Sequence, residues 1–428
     1  MQSFSRRNFL KGVAATTCGS CVHAISPLSK GGYIAWGAPE PAQSAGALGD
    51  RPLLILVNLD GGCSYNITPI YTGAYRDRNR DISYGPENSI PLNGAVDQGL
   101  HPSLTGLKPI WDEKNLAVMN LVGLNDPTGV TRSHDDGGNV KLMGITNVAE
   151  VKSGATPGWV VRMSAHFGEP FSGITINSSK SGLMGGSNPP LSITTLDTLG
   201  ESTFIRQEVG DWTRWTRSAI MNSGNAAESP NQAVIRNTMT NVDNAFAELG
   251  RQIAPVTLPV QFDLTRDASG FVRACRDAAT LAITTSLKVR FIYLEHRGFD
   301  THGLEKQPLI DLLNTLNNGL TPLIQTLKAS GIWNNTVIAT LSEFCRTHQN
   351  GTRGSDHGAS GPMLVMGGRV KGRQINPVPT VTQINRGDFF TDTAIDFRSP
   401  FYEIIAAIGL NPDEIMPYRI VPQPLGLF

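Results

Sequence analysis

Asp, Glu, His and Arg side chains crowd into three short segments late in the chain: Arg297-Gly-Phe-Asp300-Thr-His302, Leu341-Ser-Glu343-Phe-Cys-Arg346-Thr and Gly354-Ser-Asp356-His357-Gly. These are the residue types of a metal or oxyanion site. Asp300 and His302 stand two apart, so in extended backbone both point the same way. That spacing suits two ligands of one cation, and equally a histidine with a local carboxylate partner. Glu343 can bind a metal or pair with Arg346, and the ion pair competes directly with ligation. His357 lies in a Gly/Ser loop, where an imidazole can reach a cation, an anion or solvent.

Two earlier segments carry the same chemistry. Asp60 directly follows the apolar run Leu53-Leu-Ile-Leu-Val-Asn-Leu59 and precedes Gly61-Gly62, so it reads equally as a rim carboxylate and as a turn residue. Cys63 and Ser64 are close enough to share that rim. Thr131-Arg132-Ser133-His134-Asp135-Asp136 packs a hydroxyl, a guanidinium, an imidazole and two carboxylates into six residues. Ser133 is a candidate nucleophile held near a base or a metal. Side chains adjacent in sequence rarely form a triad together, so a Ser133-His134-Asp135 triad is not expected, and a polar loop with a helix N-cap is the competing reading.

The positioning elements follow from hydrophobic pattern. Leu53–Leu59, Leu116–Val122, Val289–Leu294, Thr336–Leu341 and Met363–Met366 are continuous apolar runs near glycines or turn residues, as expected of buried parallel strands. Leu309, Leu312, Leu313, Leu316, Leu320, Leu323, Ile324 and Leu327 recur at helical spacing and predict a strand–helix–strand crossover between 289 and 341. Amphipathic helices are also expected around Ile235–Leu249 and around Phe271–Ala282, with Cys275 a small core residue. Alternating strands and helices predict a doubly wound α/β architecture, whose strand ends gather such clusters on one rim. The Ser/Gly/Asn/Thr-rich stretch 171–230 reads as an insertion or cap over that sheet.

The 428 residues suffice for one large α/β domain with an insertion, or for two domains. Lys plus Arg (36) balance Asp plus Glu (36), and only 17% of residues are charged, so nothing marks a nucleic-acid binder. Ser5-Arg6-Arg7-Asn8-Phe9-Leu10-Lys11, followed by a mildly apolar small-residue run, reads as a twin-arginine leader. Residues 1–47 are therefore expected to be signal and cleavage region and 48–428 the exported domain, a periplasmic or secreted protein whose first partner is the twin-arginine translocation machinery. No later run approaches the ~18 apolar residues of a transmembrane helix, so no membrane span is expected in the mature chain. Cys63, Cys275 and Cys345 beyond the leader do not make a disulfide framework, and one stays unpaired if the other two bond.

Over about residues 52–410 the chain resembles a large family of twin-arginine-exported proteins, the domain-of-unknown-function family numbered fifteen hundred and one. That family is grouped with the alkaline phosphatase and sulfatase superfamily. The resemblance rests on Leu100-His101-Pro102-Ser-Leu104, Leu116–Gly123, Arg132-Ser133-His134, Gly158-Trp159 with Arg162, and Gly298-Phe299-Asp300-Thr301-His302. It continues through Ser342-Glu343-Phe344-Cys345-Arg346-Thr347, Asn350-Gly351, Asp356-His357-Gly358 and Asp396-Phe397-Arg398. It implies an alkaline-phosphatase-like, mostly parallel sheet flanked by helices, with a rim site for one or two divalent cations. Asp60 resembles the first-strand metal ligand, Asp300 with His302 the Asp/His metal pair, and His357 the late metal histidine. Ser133 is then the nucleophile candidate, with His134 beside it and Arg346 or Arg132 clamping substrate oxygens. Phe344 stands where active phosphatases carry a histidine ligand, and Cys345 and Phe299 replace the usual Gly and Trp. These departures point away from a complete two-metal site and toward a one-metal or metal-free anion site.

Two functions follow as expectations. One is a hydrolase of phosphate or sulfate esters, using a divalent cation (zinc, manganese, calcium or magnesium) at Asp60, Asp300, His302, Glu343 and His357 on an anionic small-molecule substrate. The other is a catalytically degenerate envelope accessory or ligand-binding protein with a remnant rim site.

Overall fold

A computed structural model describes residues 46–124, 132–153, 156–178, 190–199, 230–385 and 393–428. The twin-arginine leader and most of the 171–230 stretch lie outside the described residues. A nine-stranded sheet organises the rest. Its strands are β1 (Leu53–Asp60), β2 (Leu116–Gly123), β3 (Gly173–Ile176), β4 (Leu191–Ile193), β5 (Phe291–Arg297) and β6 (Thr336–Leu341). A hairpin, β7 (Arg346–Gln349) and β8 (Ser355–His357), stands apart before β9 (Gly361–Met366), β10 (Gln374–Ile375) and β11 (Ile395–Asp396) return to the sheet. The order is β10-β2-β9-β6-β1-β5-β3-β4, with β11 also on β2.

Every pairing in that sheet is parallel except those of β9, which runs antiparallel to both β2 and β6. The mostly parallel, doubly wound sheet is thus as expected, but the run Met363–Met366 is not a parallel strand. A continuous apolar run reports burial on both faces and carries no direction. Here the β7–β8 hairpin crosses the rim and releases the chain at Gly361, opposite Val122 near the end of β2, so β9 must run back. Two strands, β3 and β4, come from the stretch read as an insertion; their Gly-Ile-Thr-Ile and Leu-Ser-Ile sequences are short but rich in β-branched residues.

Residues of β1 alternate between two cores. Leu53, Ile55, Val57 and Leu59 face one, shared with α3 (Phe271–Ile283) and α4 (Lys306–Ala329). Leu54 and Leu56 face the other, shared with α2 (Trp159–Phe167) and α5 (Arg398–Ile408). Helix α4 is the expected crossover between β5 and β6, burying Leu309, Leu313, Leu316, Leu320, Leu323 and Leu327. A further helix, α1 (His134–Met143), opens beside the sheet's C-terminal rim. No helix among the described residues is long and apolar enough to cross a membrane.

Three histidines are built into this core rather than the rim. His296 donates Nε2–H to the Leu312 carbonyl at 2.8 Å and stacks on Phe271 at 4.5 Å between centroids. His348 donates to the Ile384 carbonyl at 3.1 Å, and His101 Nδ1 accepts the Ser103 amide at 3.1 Å. Burial pushes all three imidazoles down to about 4. Their folded pKa lies below the unfolded value, so the stability they confer is complete above about pH 6.5 and is lost as pH falls toward 4. The urea midpoint should therefore decline steadily between pH 7 and 4.5; a flat profile over that window would show that these histidines are not held neutral.

Candidate functional site

The rim is made where β1, β5 and β6 end and the β7–β8 hairpin folds across them. After Asp60 the chain turns through Gly61 (φ 122°) and Gly62 (φ 108°). A Cβ on Gly61 would lie 2.2 Å from the Asp300 amide nitrogen, and one on Gly62 would lie 2.5 Å from Arg346 Cδ. The two glycines thus admit the loop after β5 and the loop after β6 to the same place.

Asp300 Oδ1 is the centre of that place. It lies 2.7 Å from an Arg346 guanidinium nitrogen, 3.0 Å from His302 Nε2, 3.2 Å from His357 Nε2 and 3.4 Å from His134 Nε2. His302 Nε2 and His357 Nε2 are 2.9 Å apart. Among the described residues, His134, Asp300 and His357 form a set whose donor atoms all lie within 4.8 Å of one another.

The other nitrogen of each ring is held from outside the cluster. His134 Nδ1 is 2.7 Å from Glu343 Oε1, His302 Nδ1 is 2.8 Å from Asp356 Oδ1, and His357 Nδ1 is 2.7 Å from the Arg132 carbonyl. Ionised carboxylates and carbonyls only accept, so each Nδ1 must donate. Asp300 also only accepts, so Nε2 of His302 and of His357 must donate to it while no cation is bound, and a cation there would replace those protons and meet the Nε2 lone pairs together with the carboxylate. A protein oxygen holding the outer N–H of each histidine is the usual support of a metal-binding imidazole. Burial alone would raise the Asp300 carboxyl, but the hydrogen bond and charge of Arg346 outweigh it and hold the group below the ordinary range. Asp356 is also lowered, chiefly by its bond to His302.

Two residues have other roles than those expected. Glu343, read as a metal ligand, is a buried outer partner: its Oε1 takes the Gly61 amide at 2.7 Å as well as His134, and its Oε2 takes the Ser342 hydroxyl at 3.2 Å. Arg346, read as a clamp for substrate, is fully buried beneath Asp300. It donates to the Gly61 carbonyl at 3.0 Å, to Asp300, to the Ser355 hydroxyl at 3.4 Å and to the Ser355 carbonyl. A guanidinium with four of its donors placed in this way supports the site and does not face substrate.

Asp60, expected as a metal ligand, is not in the converging set of His134, Asp300 and His357. Ser133 is the N-cap of α1, its Oγ accepting the Asp136 amide at 3.3 Å, and it leaves His134 as the first helical residue. Asp60 ends β1 in register with Arg297, and its backbone carbonyl accepts the Phe299 amide at 3.0 Å. Phe344 forms an apolar floor: His357 stacks on it at 4.4 Å and His134 packs against it at 4.9 Å. Sequence reasoning did not find Lys141, seven residues along α1 from His134. Its buried ammonium donates to the Ser342 carbonyl at 2.6 Å and is pushed down to about 8 by burial. Nor did it find Glu305, a buried carboxylate taking the Ser64 hydroxyl at 2.8 Å, the Asn66 amide at 2.9 Å and the Ser355 hydroxyl.

Fold and site together define an α/β protein with a histidine–carboxylate cluster at the C-terminal rim of its sheet. The sequence profile of the family described as "Protein of unknown function (DUF1501)" matches residues 207–376, the segment that holds all three late clusters, in agreement with the motif resemblance. No curated protein matches the chain. Among solved structures, Ps i-CgsB in complex with k-i-k-neocarrahexaose aligns at 12% identity and a TM-score of 0.35, over 85% of this chain and 78% of that one. The lipoteichoic acid synthase LtaP from Listeria monocytogenes aligns at 10% identity and a TM-score of 0.36, over 95% and 79%.

Replacing Asp300 by Ala leaves the Arg346 guanidinium buried without its carboxylate. A charge-assisted hydrogen bond contributes about 1.5–3 kcal/mol, and the loss should appear as a lower urea midpoint at neutral pH in metal-free protein. Removing the Ser133 cap by Ala should cost about 1 kcal/mol. An Asp300→Ala midpoint equal to wild type would mean that the ion pair does not hold the rim together.

Proposed function

We propose that the rim binds one divalent transition metal and that the protein is an exported, metal-assisted hydrolase of phosphate or sulfate esters. The observation that carries this reading is the convergence of three Nε2 atoms on Asp300 while each Nδ1–H is fixed from outside by an acceptor-only oxygen. His134, His357 and Asp300 would hold the ion, with His302 available as a further ligand. Imidazole-rich N/O donor sets suit zinc better than manganese, magnesium or calcium. Such an ion supplies a Lewis acid for the ester's non-bridging oxygen.

The chain's own residues do the rest. Glu343, the Arg132 carbonyl and Asp356 hold the three imidazoles with Nε2 turned inward. Phe344 keeps water from the inner side of the rings. Ser133, beside His134 at the start of α1, is the nucleophile in this reading. Because Arg346 is buried beneath Asp300, the exposed Arg132, just before Ser133, is the guanidinium placed to meet substrate oxygens in this reading. The leader motif directs the folded protein across the membrane in the same proposal. A second reading, a non-catalytic accessory protein with a remnant site, is favoured by one feature: Arg346 already neutralises Asp300 at 2.7 Å.

Metal analysis of protein purified from its host should give about one equivalent of zinc, as a single such site requires. Less than about 0.2 equivalents, with no saturable binding on titration, would end the metal reading. Glu343→Gln should weaken metal affinity about 10- to 100-fold, since it disturbs an outer-shell partner. If metal is bound, aryl phosphate and aryl sulfate esters should be turned over by wild type and not by Ser133→Ala. Equal turnover by both would remove Ser133 from the mechanism.

A further inference from the structure

Two thiols that the proposed chemistry leaves idle sit between the loops that build the rim. Cys63 and Cys345 form an isolated parallel bridge that extends the β1–β6 pairing beyond both strands. The Cys63 amide donates to the Phe344 carbonyl at 2.9 Å, and the Arg346 amide to the Cys63 carbonyl at 3.3 Å. Within the strands Asn58 faces Leu341; here Cys63 faces Cys345, so the register slips by one residue through Gly61-Gly62 and brings the two cysteines opposite each other.

Paired strands lie about 4.8 Å apart, inside the roughly 4.4–6.8 Å Cα range that a disulfide spans. Both side chains are buried. They also rest on the same stretch of β9. Cys63 Sγ donates to the Pro362 carbonyl at 3.4 Å, and a Cβ placed on Gly361 would lie 3.0 Å from Cys345 Sγ. In the reduced state Cys345 Sγ donates to the Arg346 carbonyl at 3.1 Å, so joining the sulfurs takes side-chain rotation and the loss of two weak thiol hydrogen bonds. Cys275 lies in α3 against Phe271 and Gly319, within the same large core as Cys63, while Cys345 packs in a smaller one with Tyr65 and Tyr75.

We propose that Cys63 and Cys345 are a disulfide site that staples the turn after β1 to the turn after β6. Two thiols give up two protons and two electrons as one S–S bond forms. The electrons and protons pass to an oxidant of the disulfide class, whose own S–S bond is cleaved to two thiols. The staple would join the segment carrying Gly61 and Gly62 to the one carrying Glu343 and Arg346, the two partners that hold His134 and Asp300. It is independent of whether the rim binds metal. Because the thiols are buried, closure occurs while these turns are open, and the finished bond is shielded from reductant.

The test uses the full chain refolded in glutathione redox buffer or in excess reductant, quenched with iodoacetamide in denaturant and mapped as peptides without reduction. In the oxidised sample the Cys63 and Cys345 peptides should be linked and Cys275 alkylated. In the reduced sample all five cysteines of the full chain, Cys18 and Cys21 of the leader included, should be alkylated. Cys275→Ser should keep the link and Cys345→Ser should abolish it. Native-like circular dichroism with Cys63 and Cys345 both alkylated after oxidation would overturn the proposal, as would pairing of either with Cys18, Cys21 or Cys275. Protein trapped with iodoacetamide directly on harvest from its host, without refolding, gives the same reading without depending on refolding yield.

Discussion

The Arg346 guanidinium is the tie on which the rim depends. It reaches the turn after β1 through the Gly61 carbonyl, the loop after β5 through Asp300, and the hairpin through Ser355. A buried guanidinium is tolerated only where its donors are met, and this one is met by three chain segments far apart in sequence. None of the three can move alone without stranding a charge. Glu305 extends the tie inward by accepting the Ser355 and Ser64 hydroxyls at the entrance to α4. The half-exposed Asp300 is therefore both the outermost member of a buried polar network and the innermost member of the histidine cluster.

Much of this was legible before any coordinates. The runs at β1, β2 and β6 are apolar on both faces, and the leucine spacing of α4 has one periodicity, so a strand–helix–strand crossover was readable. The gathering of Asp300, His302 and His357 followed from where those elements end. What stayed hidden depends on partners. Glu343 and Arg346 look alike as ligand, clamp or ion pair in sequence, and only burial separates them. The direction of β9 depends on a hairpin whose strands have no hydrophobic pattern of their own. Lys141 is one more helical lysine until its Nζ is seen against the Ser342 carbonyl.

Phe344 shows how a departure from an expected pattern can be read as construction. Its ring cannot bind a cation, yet it carries the rings of His134 and His357, with His357 nearly face to face at an interplanar angle of 26°. Side chains held by packing on one side and by a hydrogen bond on the other have few rotamers left, which pre-sets a site at little entropic cost on binding. Phe344 thus offers no ligand atom and stiffens the two rings that pack on it.

The antiparallel course of β9 has a consequence for how such a protein can change over time. Because the chain leaves β6 at the rim and re-enters the sheet at the rim, residues 342–360 begin and end at the same edge. That single span holds Glu343, Phe344, Arg346, Ser355, Asp356 and His357. Most of the rim's supporting side chains, with His357 from its inner cluster, are therefore carried on one piece, which a descendant could lengthen, shorten or replace while the sheet beneath kept its order and Asp300, His302 and His134 kept their own elements.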